Sequence, residues 1–85
     1  MRKLIEEIAG EGLESMLGEV VTLFCLNYIY TGQLVGVNTS CILLKNPAIV
    51  YETGSFSDPS WKDAQKLPNQ LYVMQSAIES FGKVK

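Results

Sequence analysis

The residues of this chain that could do chemistry are few and scattered. There is no histidine, so the commonest general base and metal ligand is missing. The two cysteines, Cys25 and Cys41, each lie in an apolar, strand-like run. That setting suits reduced, buried thiols, and neither has an obvious activating partner. Glu6 with Glu7, and Asp58 with Asp63, read as solvated charges rather than as an acid–base pair in a cleft. The expectation is therefore no enzyme, no metal site and no cofactor. What remains is contact chemistry. Asn38-Thr39-Ser40 is a polar cluster between apolar runs, either plain turn chemistry or a set of hydroxyls and amides free to contact a ligand. Tyr28 and Tyr30 offer rings for base stacking or for interface packing. Trp61 stands in a polar stretch with Lys62 and Lys66, as a minimal nucleic-acid contact or as a loop tryptophan tucked against its own domain.

Charge narrows the partners. The formal net charge is −2, which argues against a strongly basic nucleic-acid binder but leaves room for a small local site. Glu6, Glu7, Glu11, Glu14 and Glu19 crowd the first nineteen residues, and no charge occurs from Val20 to Leu44. That neutral stretch is broken by Thr, Asn, Gln, Ser and Gly and is rich in β-formers, so no membrane span is expected. Strands without charge imply cover on both faces, one by the chain's own core and the other by a partner. With 85 residues the chain reads as one domain with a marginal core. Its opening, "MRKLIEEIAGEG", has acids where a signal peptide would be apolar, and with the reduced thiols this suggests the cytoplasm.

The elements that must position these residues follow from periodicity. "RKLIEEIA", residues 2–9, sets Leu4, Ile5 and Ile8 on one helical face, and Gly10 and Gly12 end it. "LESML" could add a helical turn before Gly18. The pattern then turns to β: 19–25, 29–37, 41–46, 48–53 after Pro47, then 70–75 and 77–81, with a polar stretch 54–69 between. These runs amount to about five short strands with no room for crossover helices, and predict a strongly bent, five-stranded antiparallel small barrel behind an N-terminal helix, a mainly β fold. Gly32 and Gly36 sit inside an unbroken β run, where loss of Cβ permits the bend such a sheet needs. The chain divides into a helical segment 1–17, a strand region 18–53, a variable loop 54–69 and a closing region 70–82.

Gly32, Leu34, Val37, Asn38 and Cys41 fill the first motif of the Sm-like (LSm/Hfq) superfamily, and the order of elements over residues 3–82 is similar to that family's. The chain resembles a divergent member. The resemblance implies a ring of six or seven subunits that binds RNA through two turns at its pore. Carried onto this sequence, those turns supply Asn38, Thr39, Ser40, Ile42, Met74, Gln75 and Ser76. Two departures stand out. Ile42 occupies the position of the family's base-reading asparagine. Met74-Gln75-Ser76 stands where the family has an arginine–glycine pair or a tyrosine–lysine–histidine run. Ile42 also reads as a core or interface residue.

An open barrel has two unpaired edges, expected at "QLYVMQ" and "AIESF", and the Lys, Pro or bulge signals that blunt an edge are missing between residues 70 and 78. Pairing strand to strand with the next copy satisfies both, which makes Leu71, Tyr72, Val73, Met74, Ala77, Ile78 and Phe81 the candidate subunit interface of a homo-oligomeric ring. Two functions remain open. The first, and the preferred one, is a ring with weak or divergent RNA binding, an RNA chaperone or processing scaffold taking single-stranded RNA. The other is a structural or adaptor ring that has lost RNA binding and engages protein partners.

Overall fold

The computed structural model describes residues 2, 4, 5 and 11–85. Six strands form one antiparallel sheet: β1 (Val20–Cys25), β2 (Ile29–Val37), β3 (Cys41–Glu52), β4 (Asp63–Lys66), β5 (Leu71–Met74) and β6 (Ile78–Gly82). The hydrogen-bonded order is β4-β3-β2-β1-β6, with β5 also on β3. Among the described residues the only helical elements are two 3-10 turns, Glu14–Met16 and Gln75–Ala77. None of the helices is long and apolar enough to cross a membrane.

The predicted mainly β class holds, and the individual elements compare as follows. Most of the expected 2–9 helix lies outside the described residues; Arg2, Leu4 and Ile5 belong to no regular element and are exposed. The helical turn expected at 13–17 is the first 3-10 turn, closed by Met16 N–H to Leu13 O and Leu17 N–H to Glu14 O. The segments 41–46 and 48–53 are one twelve-residue strand, β3. Pro47 does not end it because Asn46, at φ 52°, and Pro47 fall in a register shift of the β2–β3 ladder, where no ladder donor is needed. Finally, the stretch 54–69 contains β4, whose four residues are all exposed. No apolar alternation marked it, because backbone pairing to β3 alone makes it a strand.

The barrel is not closed. β5 pairs with β3 and β6 pairs with β1, but no ladder joins β5 to β6. The connection between them is the 3-10 turn Gln75–Ala77, which sends the chain across to the end of β1, where Leu26 N–H reaches Ala77 O at 3.2 Å. A two-residue hairpin turn would have returned β6 alongside β5; this turn does not.

The bend of β2 and β3 is built where the glycines stand. The ladder slips between Thr31 and Gln33 and again between Leu34 and Gly36. A Cβ on Gly32 would sit 3.2 Å from Leu44 Cβ, Lys45 O and Pro47 Cα, so only glycine lets the kink of β3 approach this closely. The bend gathers Val21, Leu23, Leu34, Ile42, Leu44 and Val73 into one buried cluster, with Leu13, Met16, Cys25, Tyr30, Val37, Leu71 and Ile78 packed around it. Each such aliphatic burial contributes about 1.5–3 kcal/mol. The neutral stretch 20–44 is only half covered in the single chain: Val20, Leu26, Tyr28 and Val35 remain exposed.

Candidate functional site

Two turns meet at one end of the sheet. The first is the β2–β3 turn. Asn38 Oδ1 accepts from Ser40 N–H at 2.8 Å, Ser40 Oγ–H at 3.1 Å and Cys41 N–H at 2.8 Å, and Asn38 N–H donates to Cys41 O at 3.0 Å. This is the self-bonding turn chemistry that Asn favours. The second is the 3-10 turn after β5. Gln75 N–H donates to Ser40 O at 2.9 Å, and Gln75 Nε2–H donates to Asn38 O. Asn38, Ser40 and Gln75 are thereby brought together, with Thr39, Met74 and Ser76 exposed around them. Ile42 is not among them. It is 1% exposed and belongs to the core cluster, so it offers no surface to a ligand in the single chain.

An open cleft of about 590 Å³ lies beside these turns, lined by Ile5, residues 11–14, Val37, Asn38, Thr39 and Gln75. Among the described residues its charged lining is Glu11 and Glu14. The amides and hydroxyls of Asn38, Thr39 and Gln75 could hydrogen-bond a neutral group here.

The interface candidates divide by exposure. Val73 points into the core, opposite Ile42 in the ladder. Leu71, Ala77 and Ile78 are half-buried. Tyr72, Met74 and Phe81 are exposed, and they are the members with surface to give. A smaller cleft of about 250 Å³ separates β5 from the β1–β2 turn, between Tyr72, Met74, Tyr28, Tyr30 and Cys25. The Tyr28 and Tyr30 rings stand 6.2 Å apart and tilted by 59°. Burial raises the pKa of the Tyr30 hydroxyl, and neighbouring Cys25, Tyr28 and Tyr51 raise it further. Burial likewise raises the Cys25 thiol, which disfavours the reactive thiolate. Both cysteines are free, and no three potential metal ligands gather among the described residues.

The trio Trp61, Lys62 and Lys66 does not form a unit. Lys62 pairs with Glu52 at 3.3 Å. The cation that Trp61 meets is Lys85, twenty-four positions away, whose Nζ lies 4.7 Å from its ring centre. Periodicity could not have found that contact. The composition of the loop, with Phe56 and Trp61 flanking Asp58, was the one signal available. No protein-family model matches the chain, and neither does any curated protein or solved structure.

Proposed function

We propose that the chain is a self-assembling, Sm-like scaffold in which the β5 edge of one copy pairs with the β6 edge of the next and closes a ring. Three strands have one ladder partner each, β4 and β5 on β3 and β6 on β1; the observation that carries this is that two of them, β5 and β6, bear exposed Tyr72, Met74 and Phe81, whereas β4 is polar. An apolar edge without lysine or proline needs a partner, and two different edges joined head to tail close into a ring or run on as a filament. The exposed Val20, Leu26, Tyr28 and Val35 of an otherwise uncharged region support the same reading, since a small single core leaves them in water.

What the ring engages follows from its charge. The described lysines are dispersed: Lys62 is paired with Glu52, Lys83 with Glu19, Lys85 is held in the 53–61 loop, and Lys45 and Lys66 are exposed on β3 and β4. With a net charge of −2, this favours a structural or adaptor ring that engages protein partners. Single-stranded RNA is the second reading, favoured by the convergence of Asn38, Ser40 and Gln75 on the face where the resemblance implies RNA contacts. RNA bound there would be held weakly, at micromolar affinity or poorer by estimate, and would be lost as salt rises. Light scattering after size exclusion tests both readings, on the protein alone and with a short oligo-U or oligo-A. A stable integer multiple of 9.4 kDa is expected, with little RNA carried at physiological salt. A monomer at micromolar concentration would refute the ring, and nanomolar RNA binding would reverse the order of the two readings.

A further inference from the structure

The segment after β3 folds into a small enclosure around a positive charge. Gly54, at φ 69°, turns the chain back on itself, and Asp58 N–H closes a turn on Ser55 O at 3.0 Å. Asp58 Oδ1 then accepts both Ser60 N–H and Ser60 Oγ–H at 3.1 Å. Lys62 N–H, at 3.4 Å from Thr53 O, ties the two ends of the loop together. Into this loop reaches the ammonium of Lys85. It donates to Thr53 O at 2.6 Å and to Ser60 O at 2.7 Å. It also lies 4.7 Å from the centre of the Trp61 ring and 5.7 Å from that of Phe56. Two carbonyls and two aromatic faces, with a carboxylate nearby, are groups that hold an ammonium. Ser60 hydrogen bonds hold the Asp58 carboxyl below its usual pKa, and the charge of Lys85 adds to that effect.

The loop also has hydrogen bonds of its own, within residues 53–62, that do not involve Lys85. We propose that the 53–61 loop is a primary-ammonium binding site whose resting occupant is the chain's own Lys85, and that it accepts a primary alkylammonium in trans once Lys85 is displaced. The class is set by the two carbonyls: they need N–H donors, which a primary ammonium has and a quaternary one lacks. A free alkylamine and a lysine side chain of another protein share this chemistry. Lys85 competes with either as a tethered ligand, at an effective concentration of order millimolar.

Trp61 is the chain's one tryptophan, so its fluorescence reads the site directly. The test compares the native protein with Lys85→Ala, titrating each with n-butylammonium, with tetramethylammonium and with a blocked Gly-Lys-Gly peptide. Lys85→Ala is expected to change the Trp61 emission and to respond saturably to butylammonium. Its half-saturation should lie at least about tenfold below that of the native chain. Tetramethylammonium should bind more weakly than butylammonium. A peptide that binds more tightly than butylammonium assigns the site to protein lysines; equal binding assigns it to free amines. Absence of a saturable response in Lys85→Ala, or identical titrations of both proteins, would overturn the proposal. In the unaltered protein, proton resonances of the Lys85 ε-methylene should be shifted upfield by the two rings relative to those of Lys83. Their coincidence would overturn it as well, without recourse to a variant.

Discussion

Replacing Gly32 with alanine tests the account of the bend at a single methyl group. The added Cβ would meet Leu44 Cβ, Lys45 O and Pro47 Cα, each at 3.2 Å. Two of these atoms are backbone and cannot swing aside, and Pro47 is buried. Overpacking of this kind costs about 1–3 kcal/mol. Against it stands the gain of about 0.4–1 kcal/mol that alanine gives by restricting the unfolded chain. The net expectation is a loss of about 1–2 kcal/mol, or a fall in Tm of about 4–8 °C per kcal/mol for a chain of this size. Two companions bracket it. Gly36→Ala meets one atom closer than 3.4 Å, Leu43 Cβ at 3.3 Å, and should lose less. A Cβ on Gly82 meets nothing within 4 Å, so Gly82→Ala should keep or slightly raise stability. Urea unfolding of all three, at one fixed protein concentration because assembly adds to apparent stability, gives the order directly. If Gly32→Ala proves as stable as Gly82→Ala, the close approach of β2 and β3 is not what requires glycine at position 32.

Other perturbations read other parts of the molecule. Ile42→Asn places an amide in the core cluster, and should cost about 3–5 kcal/mol in urea unfolding through lost packing and an unpaired polar group; a stable variant with new RNA affinity in a filter-binding assay would contradict the burial of Ile42. Tyr72→Lys puts a charge on the exposed face of β5 and should lower the mass seen by light scattering to that of a single chain, with an unchanged circular dichroism spectrum. Since the Asp58 carboxyl is held below its ordinary value of 3.8 by Ser60 and then by Lys85, its contribution to loop order is complete above pH 3.8 and is lost as pH falls through the lower folded-state value. An acid titration of Trp61 fluorescence should accordingly have its midpoint beneath 3.8, and a midpoint above it would speak against the Asp58–Ser60 bonds.

The parts of the fold legible in the sequence were those with an apolar period. β1, β2, β5 and β6 alternate or run apolar, and their positions follow from that. β4 did not, since Asp63-Ala64-Gln65-Lys66 is held by its backbone along an edge, where side chains need no pattern. Pro47 misled for a related reason: proline is excluded only where a ladder donor is required, and the slip opposite Gly32 removes that requirement. The two turns that converge at Asn38 and Gln75 were readable separately as turn residues, but their meeting is a matter of topology. The ammonium site was the least legible, because Thr53 and Ser60 contribute carbonyls that any residue could supply, and Lys85 arrives from beyond β6.

The ladder between β1 and β6 has a kinetic meaning. Cys25 faces Ile78 across 53 positions (78 − 25), whereas Phe24 faces Ile29 across 5 (29 − 24). Closing the longer loop costs about 2 kcal/mol more chain entropy. The meander β1–β2–β3 can therefore condense before the last strand arrives, and until it does β1 offers a bare, apolar edge next to Val21 and Leu23. For a nascent chain this makes the interval between synthesis of β3 and docking of β6 the period of greatest exposure to wrong partners. Pulse-labelling hydrogen exchange during refolding should find β6 amides protected after those of β2 and β3; simultaneous protection would mean that the sheet forms in one concerted step.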